Sequence, residues 1–120
     1  MTKGQLEAEI STTLTQWEKE FLGRGSVRVK TDIIRDMIIV DLKGILTPAE
    51  HKLSKTTEGL LSVKKIRADL VEAGREELGE LIKDITGEEV ITFHTDISTN
   101  NGERIMVFKL SNNLEEKISS

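Results

Sequence analysis

The chain contains no cysteine, and this absence excludes several classes of function. Without thiols there is no disulfide framework, thiolate zinc site or cysteine nucleophile. The only histidines are His51 and His94, whereas a protein metal site needs three or four ligands. Dinucleotide fingerprints, P-loops and nucleophile elbows are absent too. We therefore expect no metal and no cofactor.

Aromatic residues and long apolar runs are scarce. The aromatic set is Trp17, Phe21, Phe93 and Phe108, so the core has to be made of Ile, Leu and Val. The longest apolar run, residues 37–40, is far shorter than the ~20 residues that span a bilayer, and no secretory signal is visible. We expect a single cytosolic domain, residues 1–120, that meets a membrane only through a partner. Its polar tail, residues 112–120, is expected to fray.

The net charge of -4 speaks against a nucleic-acid-binding protein, whose domain usually carries a positive field. The charges are unevenly distributed. Residues 24–67 contain ten Lys or Arg and five Asp or Glu, whereas residues 69–89 contain two and eight. This pattern is typical of a solvated helix face beside a mixed sheet. The alternative is a dipolar surface that orients the molecule on a partner.

The first half of the chain predicts a helix followed by a β-hairpin. Apolar residues spaced by three and four predict a helix over residues 5–22, ended by Gly23, with Leu6, Ile10, Leu14, Trp17 and Phe21 facing inward. Two alternating β-branched runs, residues 27–34 and 37–42, predict antiparallel strands joined at Arg35 and Asp36.

The second half repeats this order. Thr47, Pro48 and Glu50 form a capping box that starts a short helix. A long helix is predicted over residues 60–85, bent or closely packed at its internal glycines, with an inward side of Val63, Ile66, Leu70, Leu78, Leu81, Ile82 and Ile85. Alternating residues 89–98 and 103–110 predict a second hairpin, with Ile91, Phe93 and Ile97 facing inward.

These elements predict an α+β fold of two helix–hairpin units in the order αββ-ααββ. A four-stranded antiparallel sheet with the helices packed on one face is the simplest way to bury both helical stripes. The other face would combine charged residues with four apolar ones: Ile34, Ile39, Ile105 and Val107. Monomers rarely leave such a patch in water, so we expect a homodimer or a docked partner on this face.

The best candidates for chemistry are His94 and Asp96, which alternation places on the same side of one strand, about 6–7 Å apart. A nearby carboxylate raises the pKa of an imidazole, as general-base or ligand-binding roles require. Asp32 would lie near them if the hairpins pair through their first strands. Arg24, between Gly23 and Gly25, could hold an anion. The plainer alternatives are a surface His–Asp pair and a helix C-cap.

Several segments together resemble the MpsC family, named for a sodium-translocating, membrane-potential-generating system of bacteria. They are Gly4 with the first helix, Gly23-Arg24-Gly25, Leu42-Lys43-Gly44, Leu46 to Glu50, Arg67, His94 to Thr99, Gly102-Glu103-Arg104 and Val107-Phe108. The resemblance covers almost the whole chain. It implies an accessory role beside membrane proteins of ion or inorganic-carbon transport. It supplies no catalytic residue.

Three functions therefore compete. The leading one is a non-enzymatic accessory or interaction protein that acts through the sheet face and charged helix surfaces. The second is a sensor of a small ligand or anion that uses Arg24, His94 and Asp96. The third is an enzyme with His94 as its acid–base group. No catalytic constellation is evident in the sequence.

Overall fold

The computed structural model describes residues 1–118, and its architecture confirms the expected α+β fold. Five helices and four strands follow one another along the chain. They are α1 (Lys3–Trp17) with a π-helical turn (Glu18–Leu22), β1 (Arg28–Ile34), β2 (Met37–Lys43), α2 (Pro48–Leu53), α3 (Thr57–Ala73), α4 (Arg75–Thr86), β3 (Val90–Ser98), β4 (Glu103–Leu110) and α5 (Leu114–Lys117).

The four strands form one antiparallel sheet in the order β1-β2-β4-β3. The hairpins meet through their second strands, with Ile39 of β2 opposite Val107 of β4. The outer strands β1 and β3 are therefore the two edges of the sheet. Asp32 and His94 consequently lie three strand spacings apart, about 14 Å. This corrects the expectation that pairing of the first strands would bring them together.

One face of the sheet carries the core. Its inward residues are Ile33, Ile38, Val40, Leu42, Phe93, Ile97, Met106 and Phe108, all buried against α1 and α4. Phe93 and Phe108 stack with ring centroids 4.8 Å apart. Ile91 differs from the prediction and is exposed, because a β-bulge shifts the register between Val90 and Thr92. The extra residue of a bulge breaks the alternation of sides.

The long helix predicted over residues 60–85 is two helices that meet at Gly74. A Cβ atom at Gly74 would lie 2.5 Å from Cζ2 of Trp17, so the glycine lets the helix junction pack directly on the buried indole. Of the predicted inward residues, Ile66 and Leu70 are exposed, and Val71 is buried instead. The predicted bend therefore occurs at this residue, whereas the close packing is on Trp17 of α1 rather than on the sheet.

The two ends of the chain also differ from simple expectation. The last turn of the first helix widens into the π-helical turn, which leaves Phe21 partly exposed and buries Glu18. Part of the tail expected to fray forms α5, whose Leu114 is buried in the core. Residues 119–120 of that tail lie outside the described residues. No helix within residues 1–118 has the length and apolar character needed to cross a bilayer.

Candidate functional site

Helices cover only one face of the sheet, and the outward-facing residues of the other face, here called the open face, form four rows across the strands. In the order β1-β2-β4-β3, each row pairs residues directly opposite one another. The rows are Ile34-Met37-Lys109-Thr92, Asp32-Ile39-Val107-His94, Lys30-Asp41-Ile105-Asp96 and Arg28-Lys43-Glu103-Ser98.

The centre of the open face is mostly apolar, with Asp41 beside Ile105, and its borders are charged. Ile39, Val107 and Ile105 lie on the two central strands, and Ile34 extends this patch towards the β1 edge. Alternation predicted Ile34, Ile39, Ile105 and Val107 on this face, and the structure leaves all four uncovered by helices. A face of this composition is able to bind another apolar surface whose border charges are complementary.

Side chains occupy individual backbone groups at both edges of the sheet. At the β1 edge, the Ile33 N–H donates to Glu7 Oε2 at 2.8 Å. At the β3 edge, Arg75 Nη2 donates to the Phe93 carbonyl at 3.3 Å, and the Ile97 N–H donates to Asp96 Oδ1 at 2.8 Å. Occupied edge groups cannot pair with another strand, so edge-to-edge association is disfavoured.

The second candidate site is an open groove of about 530 Å³ between α3 and the edge strand β3. Its ionisable lining consists of Lys64, Lys65, Glu72, Arg75, His94, Asp96 and Arg104. Four of these residues are basic and two are acidic, apart from the histidine. The groove is thus more basic than the chain as a whole, whose net charge is -4.

The structure brings His94 and Asp96 together on this edge strand but does not bring Arg24 to them. The Asp96 carboxylate is largely exposed, and its Oδ1 lies 3.9 Å from Lys64 Nζ. Arg24 donates instead to the carbonyl of Gly44, at the end of β2, at 3.3 Å. It is also absent from the groove lining. The three residues therefore do not form one ligand pocket.

Arg104 is the polar residue that sequence reasoning missed. Its guanidinium is buried, with only 4% of the residue exposed, and donates to Thr95 Oγ1 at 2.9 Å and to the carbonyl of Arg67 at 3.1 Å. Within residues 1–118, no carboxylate oxygen lies within 4 Å of it. The alternation of apolar residues along β4 could have predicted this burial, because Arg104 lies on the same side of the strand as Met106 and Phe108.

Burial, together with the positive charge of Arg67, lowers the pKa of Arg104 to about 10, while the more distant Asp96 and Glu18 oppose the shift. Arg104 remains charged at neutral pH, since its pKa is still far above 7. A buried cation without a contacting anion is costly, and a bound anion would relieve that cost.

Arg67, beside Arg104, has its own carboxylate partner. Its Nε donates to Glu50 Oε2 at 2.8 Å and its Nη2 to Glu50 Oε1, which makes the pair bidentate. This hydrogen bonding, helped by the Thr47 N–H, lowers the pKa of Glu50 to about 2. The predicted capping box of Thr47 and Glu50 is confirmed. Its hydrogen bonds hold the Glu50 carboxylate where Arg67 of α3 can donate to it. Arg67 and Glu50 therefore have a structural role between α2 and α3.

A reactive constellation is not visible in the described part of the chain. Residues 1–118 contain no group of three or more His, Asp or Glu residues that could hold a metal ion. His51, on α2, lies against the loop at Gly102 rather than near His94. The geometry is suited to binding.

Comparison with known proteins gives one family and two relatives. Residues 2–112 match the model of a family described as "Na+-translocating membrane potential-generating system (MpsC)". The chain is 61% identical to "Uncharacterized protein YbcI" of Bacillus subtilis (strain 168), over 98% of this chain and 94% of that protein. It is 23% identical to "Uncharacterized protein YrhF" of the same organism, over 91% and 90%. No solved structure matches the chain significantly.

Proposed function

The chain belongs to the MpsC family, and on that premise we propose that it is a non-catalytic accessory protein of a cation-translocating or inorganic-carbon transport system. It would work in the cytosol and reach the membrane through a membrane-protein partner. The family description names a Na+-translocating system, and the matched residues 2–112 include both hairpins. The accessory role therefore concerns the whole fold rather than one segment.

The open face carries this proposal. Ile39, Val107 and Ile105 lie uncovered at its centre, surrounded by residues of both charge signs. An apolar centre with a polar border is the usual composition of a protein–protein interface. Charge pairs at the border would select the correct partner more than they would add affinity.

Membrane-potential measurements test the accessory role. Vesicles prepared from native cells that lack the gene should develop a smaller Na+-dependent potential, measured with a potential-sensitive dye, and added wild-type protein should restore it. The variant Val107→Lys, with a charge at the centre of the open face, should not. Leu61→Lys is the matched control, because it introduces the same side chain at an exposed apolar residue of α3 that lines neither the open face nor the groove.

Two results would count against this proposal. Vesicles with and without the protein could develop the same potential, which would remove the link to Na+ translocation. Alternatively, Val107→Lys could restore the potential as well as the wild type does, which would remove the open face from the function. Co-purification of transport subunits from solubilised membranes would support the proposal independently.

A second candidate function is a sensor of a small oxyanion, and the observation that favours it is the buried, carboxylate-free guanidinium of Arg104. Lys64 and His94 line the same groove and could complete the binding site. Asp96 would keep Lys64 oriented while leaving part of its charge available, because the two groups are 3.9 Å apart. Arg24 has no part in this version of the hypothesis.

Thermal unfolding with inorganic phosphate, sulfate or bicarbonate tests the sensor hypothesis. A ligand at 100 times its dissociation constant stabilises the folded state by about 2.7 kcal/mol, which raises the melting temperature measurably. Lys64→Ala and His94→Ala should abolish the shift, whereas His51→Ala, at the other histidine, should keep it. If none of the three anions moves the melting temperature of the wild type at millimolar concentration, the hypothesis is wrong.

A further inference from the structure

We infer that the occupant of the open face is a second copy of this chain, related by a two-fold axis that runs parallel to the strands between β2 and β4. This inference rests on the proposed function and makes the accessory protein a dimer, whose charged helix surfaces are then the ones left to meet the membrane-protein partner. Its starting point is that side chains occupy backbone groups at both sheet edges, at Ile33 by Glu7 and at Phe93 and Ile97 by Arg75 and Asp96. Association through the sheet edges is therefore disfavoured, which leaves the open face as the surface through which two copies can associate.

The strand register determines which residues such an axis brings together. The axis places β1 of one copy over β3 of the other and β2 over β4, with each row opposite the same row of the partner. Lys30 then lies opposite the partner's Asp96, Lys43 opposite the partner's Glu103, and Asp32 opposite the partner's His94. Asp96 is on the edge strand, and its carboxylate accepts from the Ile97 N–H and lies 3.9 Å from Lys64 Nζ, so it would turn away from α3 to meet the partner's Lys30. The symmetry repeats each contact, so opposite charges or a carboxylate–imidazole contact occur at six places.

The apolar residues also meet under this rotation. Ile39 of each copy lies over the partner's Val107, which joins the two apolar centres. The same rotation places Asp41, whose buried Oδ1 has no hydrogen-bond partner among the described residues, over the partner's Ile105, and Met37 over the partner's Lys109. The face is complementary to itself at the Ile39–Val107 contact and at the three contacts that involve charged side chains, and this favours a second copy over an unrelated partner.

The dimensions allow a modest but specific dimer. Four strands ~4.8 Å apart and about seven residues long give a flat area of roughly 450 Å² per copy, below the ~800 Å² per partner of standard interfaces. Packed sheets cross at about 30°, which shifts the edge strands by roughly 4 Å. Lysine side chains are long enough to follow that shift. We therefore expect a dissociation constant in the micromolar range, at which changes in the border charges measurably alter the affinity.

A charge swap between the two edges tests the arrangement. Lys30→Glu alone and Asp96→Lys alone should each weaken the dimer at least about tenfold, because each places like charges together twice. The double variant should recover most of the wild-type affinity. Lys30 and Asp96 lie about 14 Å apart within one sheet, so recovery has to come from the other copy. Sedimentation equilibrium at micromolar concentration measures the dissociation constant of the dimer for the wild type, the two single variants and the double variant.

The controls separate association from folding. The carboxylate introduced by Lys30→Glu would also lie beside Asp41 of its own chain, but this cost is equal in the single and double variants and cannot explain recovery. Lys52→Glu makes the same charge change at an exposed position of α2, away from the open face and the groove, and should leave the dimer unchanged. Circular dichroism verifies that every variant is folded.

Three outcomes decide the inference. Recovery in the double variant supports the strand-parallel axis. Weakening in both single variants without recovery overturns that axis and favours a perpendicular one, which would place Lys30 over the partner's Asp32. A wild-type protein that is monomeric at high micromolar concentration overturns the dimer altogether. The vesicle assay is separate from these results, so a monomer that still restores the potential would leave the accessory role standing.

Discussion

The two faces of the sheet differ sharply although they are formed by alternate residues of the same four strands. The covered face is mainly apolar and contains the fully buried Ile33, Ile38, Val40, Leu42 and Phe108, with Thr31 and Arg104 as its buried polar residues. The open face has a small apolar centre and borders of mixed charge. The covered face supplies the folding energy, whereas the open face is available for recognition. Because successive side chains of a strand point to opposite faces, the same sheet can stabilise the fold with one face and bind a partner with the other.

Neighbouring residues of β4 give the largest expected contrast between the faces. Phe108→Ala should lower the free energy of unfolding by about 3–5 kcal/mol, because it removes a buried ring and leaves a cavity. Val107→Ala, one residue earlier on the open face, should lower it by less than about 1 kcal/mol. Urea unfolding followed by circular dichroism, at concentrations too low for association, measures both. Equal losses would contradict the assignment of faces.

Acid should lower the free energy of unfolding through the helix layer, where Glu50 of α2 pairs with Arg67 of α3. The folded pKa of Glu50, about 2, lies below its ordinary value of 4.5, so the stabilisation is complete above about pH 5 and is lost as the pH falls towards 2. We expect this loss to reach about 2 kcal/mol, since the Glu50–Arg67 pair is largely buried. Urea unfolding at pH 6.5, 4.5 and 3 measures it.

Glu50→Gln should remove this part of the acid response, and the variant is compared with the wild type at each pH. An undiminished acid response in Glu50→Gln would show that another carboxylate is responsible. Glu88 is the leading alternative, because hydrogen bonds from Lys117 and Asn112 also lower its pKa.

The packing of the helix layer over the covered face can be tested where the junction of α3 and α4 meets Trp17 of α1. Gly74→Ala should destabilise the protein by about 1–2 kcal/mol, because its Cβ would lie 2.5 Å from the buried Trp17 ring. Gly79→Ala, inside α4 with no atom within 4 Å of its Cβ, should stabilise it by about 0.5–1 kcal/mol. Thermal unfolding distinguishes the two. Stabilisation by both substitutions would contradict the close approach of α1 to the helix junction.

The smallest effect is expected on the open side. Asp96→Asn removes the charge that lies 3.9 Å from Lys64, on a side chain that is 84% exposed, and keeps an oxygen that can accept the Ile97 N–H. Exposed pairs of this kind contribute little to stability. The melting temperature should therefore hardly change, while the affinity of the dimer should fall. A large drop in melting temperature would mean that Asp96 belongs to the folding of the sheet rather than to recognition.

Much of this architecture could be predicted because it depends on local patterns. The helix stripe from Leu6 to Trp17, the capping box at Thr47 and the strand alternation all involve residues within a few positions of each other. The open-face residues Ile34, Ile39, Ile105 and Val107 followed from parity once the strands were assigned. Arg104 could also have been found by parity, because it precedes Met106 by two residues on the inward side of β4.

Other features depended on contacts between distant segments. The bulge at Ile91 and the burial of Glu18 have no clear local signal, and the internal glycines indicated a helix bend without showing that Gly74 rather than Gly79 is its position. The grouping of Arg24 with His94 and Asp96 assumed a proximity that residue types cannot supply. Pairing through β2 and β4 instead places Asp32 and His94 on opposite edges.

The amino-acid sequence by itself determined the order of the elements and which side of each strand is apolar, because both are set by backbone geometry over a few residues. Only the tertiary structure decided the order of the strands, the separation of the candidate residues and the burial of Arg104 without a carboxylate. Those features arise when segments tens of residues apart compete for the same core, and that competition has no signature within any single segment.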